Sequence, residues 1–304
     1  MDRVFNTHDA STGAYLLEKG TIVYRLPDGH EFEYSGEKAL FGVTELLLGW
    51  EEDQPAQRLL EAWAKPESVV KPVPRANVKK LIEHYHVGFN INQQLARLQR
   101  EINLRLEYLL SRQSDREKRS QKYARGYAAL VDKAHEAFEK LRFPFLKAIY
   151  DEFSNSLTYP FGKCLMRTPT KAVIQLDGAS VGSLQREFPA GAEICRQGDP
   201  GETLFILGTG ALGIYLGGLE KPVAMVCTPG EVVGEMSLLL GEPRTATMRA
   251  ETTLTLSAIA MRDLQQVVNG SPDFFIQLGI TLSKRIAQGL NLLGQLLSAA
   301  APVP

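Results

Sequence analysis

Two ionisable residues stand in a setting that suggests chemistry. In the stretch GEMSLLLGEPRTATMRA, from Gly234 to Ala250, Glu235 follows a glycine, and Arg244 follows a short apolar run and a proline. Gly234 permits a tight turn and close backbone approach to a ligand. SLLLG reads as a single helical turn, and free N–H groups at a helix start attract an anion. Arg244 brings a fixed cation with paired donors, suited to phosphate oxygens. A carboxylate would repel that phosphate, so Glu235 needs another partner on the same ligand. A sugar hydroxyl is such a partner. Ala246 and Thr247 are small enough for the chain to pass close behind. These residue types describe a cradle for a sugar-phosphate.

The elements that must position them come in duplicate. The chain has 304 residues, which sets a prior of about two domains. THDASTGAYLLEKGTIVYRL (7–26) matches QGDPGETLFILGTGALGIYL (197–216), with Asp9 on Asp199, Tyr15 on Phe205 and Gly20 on Gly210. ALFGVTELLLG (39–49) lies over EVVGEMSLLLG (231–241), and Gly42 falls on Gly234. Arg58 then falls on Arg244, Ala64 on Ala250 and Phe89 on Phe275. Three ordered blocks imply a duplicated domain. Each copy opens with β-branched and aromatic runs broken by glycine and closes in helical pattern. Asp263 and Ser271 are the N-terminal signals for the helices of the second copy. The expected class is α+β: two antiparallel, jelly-roll-like β-rolls, each followed by helices and joined by a long helical segment.

Ile91, Leu95, Leu98, Ile102, Leu106 and Leu109 follow the spacing of one helix face. That stripe is either a coiled-coil seam in a homodimer or a face packed on its own domain. The helix is expected to end near SRQSDREKRS, and a second to run from Tyr123 to Phe153 with a kink at Phe143-Pro144. Residues 97–147 carry 13 Lys or Arg against 7 Asp or Glu. Interspersed signs favour a solvated face over a nucleic-acid surface.

Composition bounds the rest. The charge of −1 favours neither nucleic acid nor membrane, and 44% apolar content is that of a soluble globule. Cys164, Cys195 and Cys227 are odd in number and widely spaced, against a disulfide framework or a zinc site. With no long apolar run and no signal-peptide pattern, a reducing cytoplasmic setting is expected. No G-x-S-x-G, H-E-x-x-H or P-loop is present, so no enzyme activity is expected.

The second copy resembles a cyclic nucleotide-binding domain, the family of the catabolite activator protein and the regulatory subunits of cyclic-AMP-dependent kinase. The resemblance rests on V-G-E-M-S-L at 233–238, R-T-A-T at 244–247, and Phe188, Gly191, Ile194, Gly198, Asp199, Phe205 and Gly210 upstream. Val233 stands where the family usually has Phe. The resemblance implies cyclic AMP or cyclic GMP as ligand and no other cofactor. It implies that Glu235 accepts from the ribose 2′-OH and Arg244 pairs with the cyclic phosphate. Backbone at Gly234, Met236 and Ser237 would cap the phosphate, with Thr245 and Ala246 beside it. Met225 would pack on the base. The helix after Ser271 would be a lid, with Arg285, Gln288, Leu290 or Asn291 nearest the base. Thr245 could serve either a syn guanine or the phosphate, which leaves the base open.

The first copy departs from this pattern. Val43 replaces the ribose-binding Glu, Leu59 and Leu60 follow Arg58, and Glu51, Glu52, Asp53 and Glu61 add negative charge. It is expected not to bind a cyclic nucleotide in the usual way. The domains are set at 1–112, 113–160 (helical linker) and 161–304. No helix-turn-helix follows the lid, so an unknown effector protein would read the signal. The competing expectation is a ligand-independent structural or oligomerisation protein.

Overall fold

The computed structural model describes residues 1–50, 55–113, 115–156, 158–165, 174, 184–217, 222 and 224–300. It divides into two compact units. One comprises Met1–Arg25, Glu31–Gln99 and Thr170–Ile286; the other comprises Leu26–His30, Arg100–Pro169 and Ala287–Pro304.

The first unit holds both rolls. Strands β1 (Asp2–Phe5), β2 (Gly13–Lys19), β3 (Thr21–Arg25), β4 (Glu31–Ser35), β5 (Ala39–Phe41), β6 (Glu61–Ala64) and β7 (Val69–Pro74) form the first. They make two antiparallel sheets, ordered β1-β6-β3-β4 and β5-β2-β7. The second roll uses β8 (Gln185–Phe188), β9 (Glu193–Cys195), β10 (Thr203–Thr209), β11 (Leu212–Tyr215), β12 (Ala224–Val226), β13 (Val232–Val233), β14 (Thr247–Ala250) and β15 (Leu254–Ala260). Its sheets are ordered β9-β14-β11-β12 and β13-β10-β15-β8. The two rolls agree strand for strand, except that β8 has no counterpart. The α+β class is borne out, as open sheets facing each other rather than closed barrels.

The duplication extends to single hydrogen bonds. Asp9 Oδ2 accepts from the Asn6 N–H at 2.7 Å, and Asp199 Oδ2 from the Arg196 N–H at 2.7 Å. The backbone N–H groups of Arg58 and Arg244 donate to the carbonyls of Asp9 and Asp199, both at 2.8 Å. The second roll closes over Phe205, Leu207, Leu212, Val226, Val233, Met248, Ala250, Leu254, Leu256 and Ala258. Burial of each large apolar side chain contributes about 1.5–3 kcal/mol.

Each roll carries a short helix after its positive-φ glycine, α1 (Thr44–Leu48) in the first copy, and ends in helices, there α2 (Arg75–Ile82) and α3 (Tyr85–Ser111). Helices α4 (Asp115–Leu141), α5 (Pro144–Ser154) and α6 (Thr158–Leu165) follow. The second copy repeats the scheme with α7 (Glu235–Leu240), α8 (Leu264–Gly270) and α9 (Phe274–Ala300). Asp263 stands at the start of α8 but makes no side-chain cap bond.

The leucine stripe packs inside the chain. Ile91, Leu95, Leu98, Ile102 and Leu106 are each at most 5% exposed. In the first unit, Gly88 of α3 lies against the Phe275 ring of α9, and Gly279 lies against Asn92 and Leu95. Asn92 Nδ2 donates to the Phe275 carbonyl at 3.0 Å. In the second unit, Gly289 lies against Ile102 and Leu106. Gly88 with Phe275, Asn92 with Gly279 and Ile102 with Gly289 share one sequence offset, which is the register of a parallel two-stranded seam. Here the partner strand of the seam is the chain's own second copy.

In the second unit, the expected kink at Pro144 is a break between α4 and α5. Arg142 has φ 56 and Phe143 is extended at ψ 121, the conformation favoured before proline. The helix also begins earlier than Tyr123, at Asp115. Among the described residues, no helix is long and apolar enough to cross a membrane.

Candidate functional site

Strand β13 ends at Gly234, where the backbone turns with φ 77 into α7. That conformation strains any L side chain, and a Cβ here would also meet Arg244 Nη1 at 2.5 Å. Gly42 of the first roll has φ 68 in the same role. The turn aims Glu235 inward from the first turn of α7, where it is 3% exposed. Arg244 arrives from the loop before β14 and is 4% exposed. Its Nη1 donates to the Gly234 carbonyl at 3.1 Å and its Nη2 to the Thr203 carbonyl. Its guanidinium carbon lies 5.4 Å from the Phe205 ring centroid. No carboxylate among the described residues pairs with it. A buried cation left without a counter-charge is costly, by several kcal/mol.

Glu235 has a cation partner from elsewhere. Arg285, on α9, makes an ion pair and hydrogen bond with Glu235 Oε1. Helix α9 and the turn after β13 are thus linked through one charge pair. Ser237 is buried, its Oγ donating to the Pro243 carbonyl at 3.3 Å. Ala246 is buried, Met236 is half-buried and Thr245 is exposed. Thr247 Oγ1 accepts from the Gln197 N–H at 3.0 Å and anchors the loop before β10. The geometry therefore gathers Gly234, Glu235, Ser237, Arg244, Ala246 and Arg285. Met225 stands on β12 opposite Gly213, 43% exposed. Gln288, Leu290 and Asn291 fall in the second unit, where Asn291 Oδ1 accepts from Gln295. Sequence reasoning missed Thr203 and Phe205 as supports of Arg244. The first acts through its backbone carbonyl, which leaves no side-chain signature. Behind the site, burial pushes the Cys195 thiol above its ordinary range.

The first roll answers the same arginine differently. Arg58 is 2% exposed, and its Nη1 meets Glu45 Oε2 at 2.9 Å and the Gly42 carbonyl at 2.6 Å. Its Nη2 donates to the Gly13 carbonyl at 2.5 Å, and Glu45 Oε1 accepts from the Leu59 N–H at 3.0 Å. The carboxylate that neutralises Arg58 is thus Glu45. Glu61 is not part of this cluster: it lies on β6 beside Arg25 at 3.5 Å. Glu51, Glu52 and Asp53 lie outside the described residues. With Gly42 over Gly234, Glu45 falls where the second copy has Ser237, and Val43 falls on Glu235. The acid stands two positions further along the turn, and there it faces Arg58 rather than an arginine of α9. The cavity beside Gly42, Val43 and Thr44, walled by Tyr24, Phe41 and α3, has a volume of about 30 Å³. That is room for about two waters. Tyr24, whose hydroxyl accepts from the Gly42 N–H at 3.2 Å, is buried, and burial raises its ionisation above the usual tyrosine range.

Comparison with known proteins bears on the second roll. Residues 185–271 match the family model described as "Cyclic nucleotide-binding domain". This segment is similar to a cyclic nucleotide-binding domain. The matched description names a cyclic nucleotide as that family's ligand. The cyclic nucleotide-gated potassium channel of Mesorhizobium japonicum is 40% identical over 88 residues, 29% of this chain and 23% of the channel. A cAMP-dependent protein kinase regulatory subunit of Emericella nidulans is 36% identical over 73 residues, 24% of this chain and 18% of the subunit. The chain thus spans less than a quarter of either relative. Patatin-like phospholipase domain-containing protein 7 of Mus musculus is 28% identical over 149 residues, 45% of this chain and 11% of that protein. Among solved structures, cAMP-bound PfPKA-R covers 87% of this chain and 69% of its own at 14% identity, with a TM-score of 0.28.

Proposed function

We propose that the chain is a cyclic mononucleotide receptor whose second roll binds the ligand and whose lid helix α9 passes the event to a partner protein. In this reading Arg244 takes the cyclic phosphate, and backbone at Gly234, Met236 and Ser237 caps it. Glu235 accepts from the ribose 2′-hydroxyl, and Thr245 and Ala246 border the phosphate. Met225 is assigned to the base, with Arg285 as the lid's hold on Glu235. The observation that carries the reading is the state of Arg244, buried and without a carboxylate, beside an arginine of the first roll that has one. A bound phosphate supplies the missing anion. A ligand hydroxyl on Glu235 acts on the same carboxylate that holds Arg285, so occupancy bears on the position of α9. The first roll is read as a brace that binds no nucleotide. The chain is read as a receptor rather than an enzyme, and its free Cys195 and Cys227 fit a reducing cytoplasm.

The test is a titration with cyclic AMP and cyclic GMP of the wild-type chain, Arg244→Ala and Arg58→Ala. Arg244→Ala weakens binding at least about tenfold, because a charge-assisted contact to phosphate contributes about 1.5–3 kcal/mol. Arg58→Ala lowers stability and leaves the affinity of the folded protein unchanged. Equal affinity in wild type and Arg244→Ala would remove the assignment.

A further inference from the structure

We propose that the face of α4 carrying Tyr123 and Leu130 is a docking groove for an acidic amphipathic helix of a partner protein. The inference lies outside the nucleotide site and stands independently of what the second roll binds.

Helix α4 has two apolar faces and its own unit covers one. Gln121, Ala124, Ala128 and Val131 are buried, and Gly162 of α6 lies against Ala124 and Ala128. Tyr123 and Leu130 point elsewhere, 75% and 69% exposed. They stand seven residues apart, one above the other on one side of the helix. Tyr127 lies between them, its hydroxyl donating to the Phe153 carbonyl at 3.0 Å, so its ring is fixed in place. With Arg119, Lys122, Gly126 and Thr158, these residues line an open groove of about 1,090 Å³. Tyr123, Tyr127 and Leu130 are spaced i, i+4 and i+7 over two turns, the length over which the anchors of a helix laid in a groove are read. Rigid tyrosines are the residues that most often anchor such contacts.

Charge selects the occupant. Lys118, Lys122 and Arg125 stand along one side of this face, all exposed, and no Asp or Glu lies between Lys118 and Val131. The next acid, Asp132, is held by the Tyr159 hydroxyl at 2.7 Å and by Lys163 at 2.6 Å. The rim is positive and its floor is aromatic and aliphatic. A helix with acidic flanks and an apolar stripe satisfies both. A phosphate backbone satisfies only the rim, and a basic helix is repelled.

The test is selection of a helical peptide library against the full chain, followed by fluorescence anisotropy with the winning peptides. The proposal expects winners with apolar residues at i, i+3 or i+4 and i+7 and with Asp or Glu flanking them. Tyr123→Ser and Leu130→Ser each weaken their binding about tenfold, and Lys122→Glu weakens it further at low salt than at high. Both side chains are exposed, so the variants fold, and their cyclic nucleotide titrations match the wild type. The proposal is overturned by a library that yields no binder, by winners lacking acids, or by binding indifferent to both serine variants. It is also overturned if a single-stranded oligonucleotide or anionic vesicles, rather than the peptides, bind in a manner sensitive to those substitutions.

Discussion

Arg58 and Arg244 occupy equivalent places and differ in one respect, the presence of a carboxylate within reach. Glu45 gives the first roll a closed internal pair at 2.9 Å, with both side chains at most 4% exposed. Removing one member of such a pair leaves an uncompensated buried charge. Glu45→Ala should therefore lower stability by about 3–5 kcal/mol in urea unfolding, and the double variant Glu45→Leu, Arg58→Met should recover most of the loss. No recovery would mean that Arg58 acts through its carbonyl contacts alone. A second residue-scale expectation concerns the thiols. Cys227 is exposed, whereas Cys195 is half-buried with its ionisation pushed up. A raised pKa leaves less thiolate at a given pH, so iodoacetamide should modify Cys227 well before Cys195, as peptide mass mapping would show. Glu235 and Arg244 could be read from sequence because their types and spacing carry the chemistry. The part played by Glu45 could not, because an acid two positions away in the same turn looks like surface charge until its direction is known.

Among the elements, the helices were half legible. The periodicity of Ile91 to Leu109 located α3, but one stripe fits a partner in another chain as well as one in the same chain. What decides between them is the close approach of Gly88 to the backbone of Ile82 and the ring of Phe275. A Cβ there has nowhere to go, so Gly88→Ala should cost about 1–3 kcal/mol despite its better helix propensity. Gly126 provides the contrast, since nothing lies within 4 Å of a Cβ built on it. Gly126→Ala should stabilise α4 by about 0.5–1 kcal/mol, measured as a shift in the urea midpoint. The break at Pro144 was legible as a kink only, because the sequence marks the proline but not the positive φ of Arg142 that completes the turn.

At the scale of the whole molecule, duplication organises everything described. Two rolls share a strand order and even the paired Asp9 and Asp199 turns, yet only the second keeps a buried arginine without an internal acid. The block matches made the repeat visible in the sequence. The strand order was not visible, because short strands carry little pairing information beyond their neighbours. The α3 stripe finds its partner in α9 of the same chain. The central claim is that one roll binds and the other does not. Calorimetry of the full chain with cyclic AMP and with cyclic GMP tests it most directly. The account predicts one site per chain for the preferred nucleotide, abolished or weakened at least about tenfold by Arg244→Ala. Two sites per chain, or none, would contradict it.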